Sequence, residues 1–379
     1  MKRIAVLTAV IAALVLLLPL KAGAGNDIDT DKLGAYVLVE AGTGTVLEEY
    51  NGDVELFCGS LSKLMTLLLV AEDIETGKYT LDRELPVSQT VEGIGGAVVW
   101  LRPGDTMTVD ELLKSVIIGN ANDAAAVLAE ASERSVEQFV MRMNSEAFDI
   151  GLRNTAFMSP YGTYNEKEHT TARDMAVICS RLARYGFLRK YFCTWMDRVR
   201  GGLTEVVSEN TLTRTYDGHI GFKACHSEMS GYCVAEGAEN AGGTAYIAVV
   251  IGAENENVSL GTAKKLLRRG FSGYKVTAAD FPDEMLMPVK VSRGEETAVE
   301  LMLGRRREAA VERGGAELSS ISVIPAYLTA PVKRGQKVGT AAFYQGKTLI
   351  CETDIVVKNN VKKLTWKFIA AKMLFNMLG

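Results

Sequence analysis

The pattern of the chain changes at Phe281-Pro282-Asp283, and that change limits what the polypeptide can become. Ahead of it, β-rich runs are interleaved with stretches of helical spacing. Beyond it only short β-like runs remain, over residues 287–291, 298–303, 318–324, 341–344 and 355–357. Turn signals such as Arg293-Gly294 and Arg334-Gly335 separate them. A chain of 379 residues has material for two domains. The expected class is α+β: a mixed domain over residues 27–275, then a small β-sandwich over 283–357.

Local signals order the first domain. Residues 36–39 and 45–47 flank Ala41-Gly42-Thr43-Gly44 and predict a hairpin. Ser60 precedes an apolar stretch of helical length over 61–72. Thr108-Val109-Asp110-Glu111 fits a capping box for a helix to about residue 118. Asn122 or Asp123 is expected to cap the next helix, to about 130. Further helices are expected over 136–150 and 171–184, strands over 219–222, 231–235 and 245–251, and a closing helix over 260–269.

The two ends differ from the body. Lys2 and Arg3, an apolar run to Leu20 and Ala22-Gly23-Ala24 have the order of a secretory signal peptide over residues 1–24. The alternative is an uncleaved N-terminal anchor. The segment 358–379 carries five lysines among Trp366, Phe368, Ile369 and Phe375, with no acidic residue. It is too short and charged to span a bilayer, and is read as an amphipathic helix at a membrane surface or one packed on the protein. Three positive charges in 1–24 and five in 358–379, against a net −4 overall, leave residues 25–357 at −12. Such an acidic body argues against nucleic acid as a partner. The six cysteines have no spacing that resembles a disulfide framework or a zinc site, and no metal is expected.

Three short segments carry possible chemistry. In Ser60-Leu61-Ser62-Lys63, the i to i+3 spacing puts lysine and serine on one helix face. A lysine buried by Leu61, Leu64 and Met65 loses its charge more readily and is able to accept the serine proton. The bland alternative is a helix N-cap beside an exposed lysine. Gly119-Asn120-Ala121-Asn122-Asp123 offers two amides in a turn between helices, which also suits a plain capped turn. Phe222-Lys223-Ala224-Cys225-His226 reads as an edge strand whose lysine faces either a cleft or solvent.

Taken together and in this order, the three resemble the active-site motifs of penicillin-binding proteins and serine β-lactamases. The resemblance is strongest to the low-molecular-mass D-alanyl-D-alanine carboxypeptidases. It extends through Leu101-Arg102-Pro103-Gly104-Asp105, Ser159-Pro160-Tyr161-Gly162, Thr170-Thr171-Ala172-Arg173-Asp174 and Ala330-Pro331-Val332-Lys333-Arg334-Gly335. It implies a β-lactamase/transpeptidase-like catalytic domain, an antiparallel sheet with helices, followed by the small β domain. It also implies an exported enzyme at the outer face of the cytoplasmic membrane, acting on peptidoglycan stem peptides that end in D-Ala-D-Ala, without cofactor. β-Lactams would acylate the same serine. Ser60 would be the nucleophile and Lys63 its base. Asn120 and Asn122 would line the cleft, Lys223 and residue 224 would hold the substrate carboxylate, and the N–H groups of Ser60 and His226 would form the oxyanion hole.

Two positions depart from that family. Asn120 stands where a serine hydroxyl usually relays protons, and Lys223-Ala224-Cys225 stands where Lys-Thr-Gly is usual. A hydroxyl lost from a charged contact costs about 1.5–3 kcal/mol, roughly ten- to a hundred-fold in rate. The departures keep two other readings open: a degenerate homologue that binds peptidoglycan or a partner, and a related D,D-endopeptidase or β-lactamase.

Overall fold

Strands β1 (Ala35–Glu40) and β2 (Val46–Tyr50) form the expected hairpin. The Glu40 carboxylate closes it, accepting the N–H groups of Gly42 at 3.0 Å and Thr43 at 2.6 Å. The computed structural model describes residues 28–279, 281–282, 285–304 and 308–378. The expected signal peptide lies outside them.

Later in the chain come β3 (His219–Ser227), β4 (Gly231–Glu239) and β5 (Ala245–Ala253). The sheet order is β2-β1-β5-β4-β3, antiparallel throughout, so the first hairpin pairs with the last strand and β3 is an edge. Both faces are covered. Val37 and Val39 of β1, with Val249 and Ile251 of β5, enter one core, while Leu38 and Val250 enter the other. Successive side chains point to opposite faces, so strands buried on both sides read as unbroken apolar runs.

The first core takes α1 (Lys63–Glu75), α2 (Val109–Ile117), α3 (Asn122–Glu133), α4 (Val136–Asp149) and α5 (Ala172–Leu182). Leu64, Met65, Leu67, Leu68, Leu69 and Val70 are wholly buried, which makes α1 the central helix, apolar on every side. The other face is covered by α6 (Glu256–Gly273). It starts four residues earlier than its apolar spacing suggests, because the Asn255 side chain accepts the Val258 N–H at 3.0 Å. Thr108 caps α2 as expected, accepting the Glu111 N–H at 3.2 Å. The cap expected at α3 is different. Ala121 occupies the N-cap position, and the Asn122 amide donates instead to the Gly95 carbonyl at 2.7 Å.

The second domain has its own core, which includes Val289, Val299, Val311, Phe343, Ile355 and Val357. Strands Val289–Ser292, Ala298–Val299 and Tyr327–Thr329 make one sheet; Leu301–Leu303, Leu318–Val323, Lys337–Gln345 and Thr348–Val357 make another. A strand the pattern does not announce, Glu308–Glu312, pairs with Tyr274–Ala278. Its charged ends around Ala-Ala-Val hide it. Val361 is buried and exchanges backbone hydrogen bonds of 2.9 Å with Val332. The terminal helix α7 is therefore Trp366–Leu378, shorter than the expected segment from 358. Among the described residues no helix is long and apolar enough to cross a membrane.

Candidate active site

A tight turn and a buried helix place Ser60 against Lys63. Residues Gly59–Ser62 form one 3₁₀ turn that runs into α1, with Gly59 at φ 55°. Glycine takes this left-handed conformation without a Cβ penalty. Lys63 opens α1 and is 0% exposed. Its Nζ lies 3.1 Å from Ser60 Oγ and 2.9 Å from the Tyr161 carbonyl oxygen. Burial, and then the neighbouring charge of Lys223, hold the Lys63 amine well below its usual pKa. A neutral amine at hydrogen-bond distance from a hydroxyl has the geometry of a general base.

The loop after α4 completes this corner. A Cβ on Gly162 would collide with the Gly59 carbonyl, so a glycine at φ 77° lets the loop lie against the Ser60 turn. The Thr66 hydroxyl donates to the Pro160 carbonyl at 2.6 Å. Glu168 fixes the far end: its carboxylate accepts the Ser62 hydroxyl at 2.7 Å and the Met158 N–H at 3.2 Å. Burial pushes its pKa up to about 7, although these hydrogen bonds and Lys63 pull the other way. Nothing in the sequence around Glu168 announces it, because its partners are distant in the chain. Ser159-Pro160-Tyr161-Gly162 is visible as a motif, but its contacts with Gly59 and Lys63 are not.

Asn120 sits on the turn between α2 and α3, and Asn122 opens α3. Asn120 is buried at φ 56°, a region that asparagine tolerates better than most residues. The Oδ1 atoms of both are buried without a hydrogen-bond partner among the described residues. Such acceptors are costly unless a bound group donates to them. Asp123 next door clamps residues 99–101, accepting the N–H groups of Val99 at 3.1 Å and Leu101 at 3.0 Å.

The third wall is β3. Lys223 is 3% exposed and donates to the Val116 carbonyl at 3.0 Å, at the negative end of α2. Burial draws its pKa down to about 8. Cys225 lies on the same face, with its thiol 3.5 Å from the Cys58 carbonyl and so directly beside the serine turn. Ala224 points the other way, as the pleat requires, and packs with the core under α6. His226 is exposed and stacks on Tyr232 with ring centroids 4.1 Å apart. Ser60, Lys63, Lys223 and Cys225 thus meet at one place, and the Ala224 side chain is not part of it. His219, at the far end of β3, is held by Glu236 and the Phe192 carbonyl.

A family model described as D-alanyl-D-alanine carboxypeptidase matches residues 24–255. A second, described as the C-terminal domain of penicillin-binding protein 5, matches residues 274–363. The chain is 30% identical over 333 residues to D-alanyl-D-alanine carboxypeptidase DacF of Bacillus subtilis, covering 86% of this chain and 85% of that protein. It is 29% identical over 352 residues to DacC of Escherichia coli, covering 89% and 88%. In fold it resembles penicillin-binding protein 5 from Haemophilus influenzae, with TM-score 0.79, 24% identity and coverage of 88% of this chain and 98% of that one. Penicillin-binding protein D2 from Listeria monocytogenes in its ampicillin-bound form matches at TM-score 0.58 and 25% identity, covering 64% of this chain and 98% of that one.

Proposed function

The chain belongs to the D-alanyl-D-alanine carboxypeptidase family, and on that premise we propose that it is a serine D,D-carboxypeptidase that trims the terminal D-Ala from peptidoglycan stem peptides. The observation that carries the reading is the wholly buried Lys63 amine 3.1 Å from Ser60 Oγ, with Lys223 facing the same cleft. Neutral Lys63 takes the Ser60 proton as Oγ attacks the carbonyl carbon of the penultimate D-Ala. The C–N bond breaks, the leaving amine takes up a proton, and D-Ala departs. Water then hydrolyses the ester and regenerates Ser60.

The N–H groups of Ser60 and His226 stabilise the developing oxyanion. Asn120 and Asn122 present their unpartnered amide oxygens to the substrate backbone. Protonated Lys223 draws the substrate carboxylate, with residue 224 contributing its backbone. β-Lactams acylate Ser60 by the same attack.

The protein is proposed to be exported by its leader, residues 1–24, and to work at the outer face of the cytoplasmic membrane. There α7 lies on the membrane surface: Trp366 is 86% exposed, Met373 and Leu374 are also exposed, and the lysine stems of the helix can snorkel. The test of function is D-Ala release from a peptide ending in D-Ala-D-Ala. Release by the wild type and none by Ser60→Ala supports the reading. Binding without release favours the degenerate homologue, a reading that Asn120 and Cys225 support by standing where the family has other residues.

A further inference from the structure

Three free cysteines, Cys58, Cys225 and Cys233, gather beside the turn that carries Ser60, and all three belong to the core that takes α1. Cys225 of β3 and Cys233 of β4 are direct partners in the antiparallel register. Residues opposed in this way have Cα atoms about 4.5–5.5 Å apart. A disulfide bridges Cα separations of about 4.4–6.8 Å. The Cys225 thiol lies 3.5 Å from the Cys58 carbonyl oxygen. That oxygen also accepts the Leu61 N–H at 3.3 Å and so closes the Ser60 turn. The Cys233 thiol lies 3.4 Å from the Ser230 carbonyl oxygen, and a Cβ on Gly59 would come within 3.1 Å of Ser230 Oγ. Both thiols therefore border the nucleophile's turn. They differ in acidity. The adjoining Cys233 thiol and, against burial, the charge of Lys223 draw the Cys225 pKa down, while the same contact and burial push that of Cys233 up. The thiolate is the attacking form of cysteine. Cys225, 5% exposed, is thus suited to attack, and Cys233, 1% exposed, to resolve the product.

We propose that Cys225 and Cys233 are a second reactive site, a dithiol that a small peroxide closes to a cross-strand disulfide, and that the closed form acylates slowly at Ser60. The Cys225 sulfur attacks one peroxide oxygen. The O–O bond breaks, and the other oxygen takes up a proton and leaves as water. The Cys233 sulfur then attacks the resulting sulfenic acid. The S–O bond breaks, and that oxygen leaves as a second water with the Cys233 proton. Two thiols are oxidised by two electrons, and one hydrogen peroxide is reduced to two waters. Closure removes both S–H groups, from beside the Cys58 and Ser230 carbonyls, and draws the Cys225 sulfur toward β4, away from the Ser60 turn. The effect on acylation rests on the carboxypeptidase reading; the disulfide itself does not.

The test treats the reduced full chain with hydrogen peroxide and reads two things, a peptide mass map and the rate of fluorescent-penicillin labelling. Trypsin releases residues 224–264 as one peptide whose only cysteines are Cys225 and Cys233. After peroxide this peptide should lose two hydrogens and resist alkylation. The labelling rate should fall by about tenfold or more, the scale at which a small displacement of reacting groups acts. Dithiothreitol should restore both. Cys233→Ala should label at about the rate of the reduced wild type and keep that rate after peroxide, so that the exposed Cys193 and the other thiols are not the cause. The map and its reversal in the wild type stand without the variant. No disulfide between the two, a disulfide that leaves labelling unchanged, or an equal fall in Cys233→Ala overturns the proposal. The two readouts fail separately. A wild type that never labels sinks the acylation reading, and the peptide map alone then decides for or against the dithiol.

Discussion

Two buried lysines share one cleft, and the proposed function asks opposite tasks of them. Burial and the charge of Lys223 hold the Lys63 pKa well below its usual value, whereas Lys223 has the carbonyls at the end of α2 to support its charge. On the proposed roles, replacing Lys63 by Ala should slow acylation by about 10²- to 10⁴-fold while the fold survives, as stopped-flow labelling and circular dichroism would show. Lys223 must stay protonated to draw the carboxylate. With its pKa at about 8, kcat/KM for D-Ala release should fall as pH rises past about 8. In Lys223→Arg that alkaline limb should disappear, because arginine does not deprotonate there; a limb unchanged in the variant would assign it to another group. Glu168 titrates in the stability curve instead. Its folded pKa, about 7, is raised above the unfolded value, so the fold favours the protonated form. Wild-type stability should therefore decline as pH rises from the unfolded value through about 7, by on the order of 3 kcal/mol once ionised. Glu168→Gln should lack this decline in paired melting curves.

The side chains proposed to act in catalysis depend on elements that hold them from outside their own segments. The Ser60 turn is set by Gly162, and alanine there would meet the Gly59 carbonyl and adopt a disfavoured φ. Gly162→Ala should lower the acylation rate at least tenfold and cost about 1–3 kcal/mol of stability; wild-type labelling in the variant would contradict the packing account. The sequence makes some of this plain and hides the rest. The Thr108 cap, the run that becomes α1 and the Ser60–Lys63 spacing are local signals, so they are readable. Asn122 is misread as a cap, because Ala121 takes the N-cap position and the Asn122 side chain turns to a loop far back in sequence, donating its Nδ2 to the Gly95 carbonyl. The buried carboxylate of Glu168 and the orientation of Ala224 away from Ser60 are likewise products of long-range packing and sheet pleat. Family resemblance supplies the identity of the site, but not these contacts.

At the scale of the whole chain, the acidic body and basic tail form two electrostatic regions. Because Val361 is part of the β domain, a clean test of the tail removes residues from Trp366 onward rather than from 358. That truncation should shift the protein from membrane to soluble fractions without changing its melting temperature; retention on membranes would place the attachment elsewhere. The division into two domains was legible because the β-only pattern begins near residue 282, whereas the strand Glu308–Glu312 that pairs back to Tyr274–Ala278 was not. The central claim is that Lys63 makes Ser60 an acylating nucleophile. Incubation of the full chain with a fluorescent penicillin tests it most directly. The wild type should carry one covalent label, lost in Ser60→Ala and strongly slowed in Lys63→Ala. An unlabelled wild type, or a label that persists without Ser60, would contradict it.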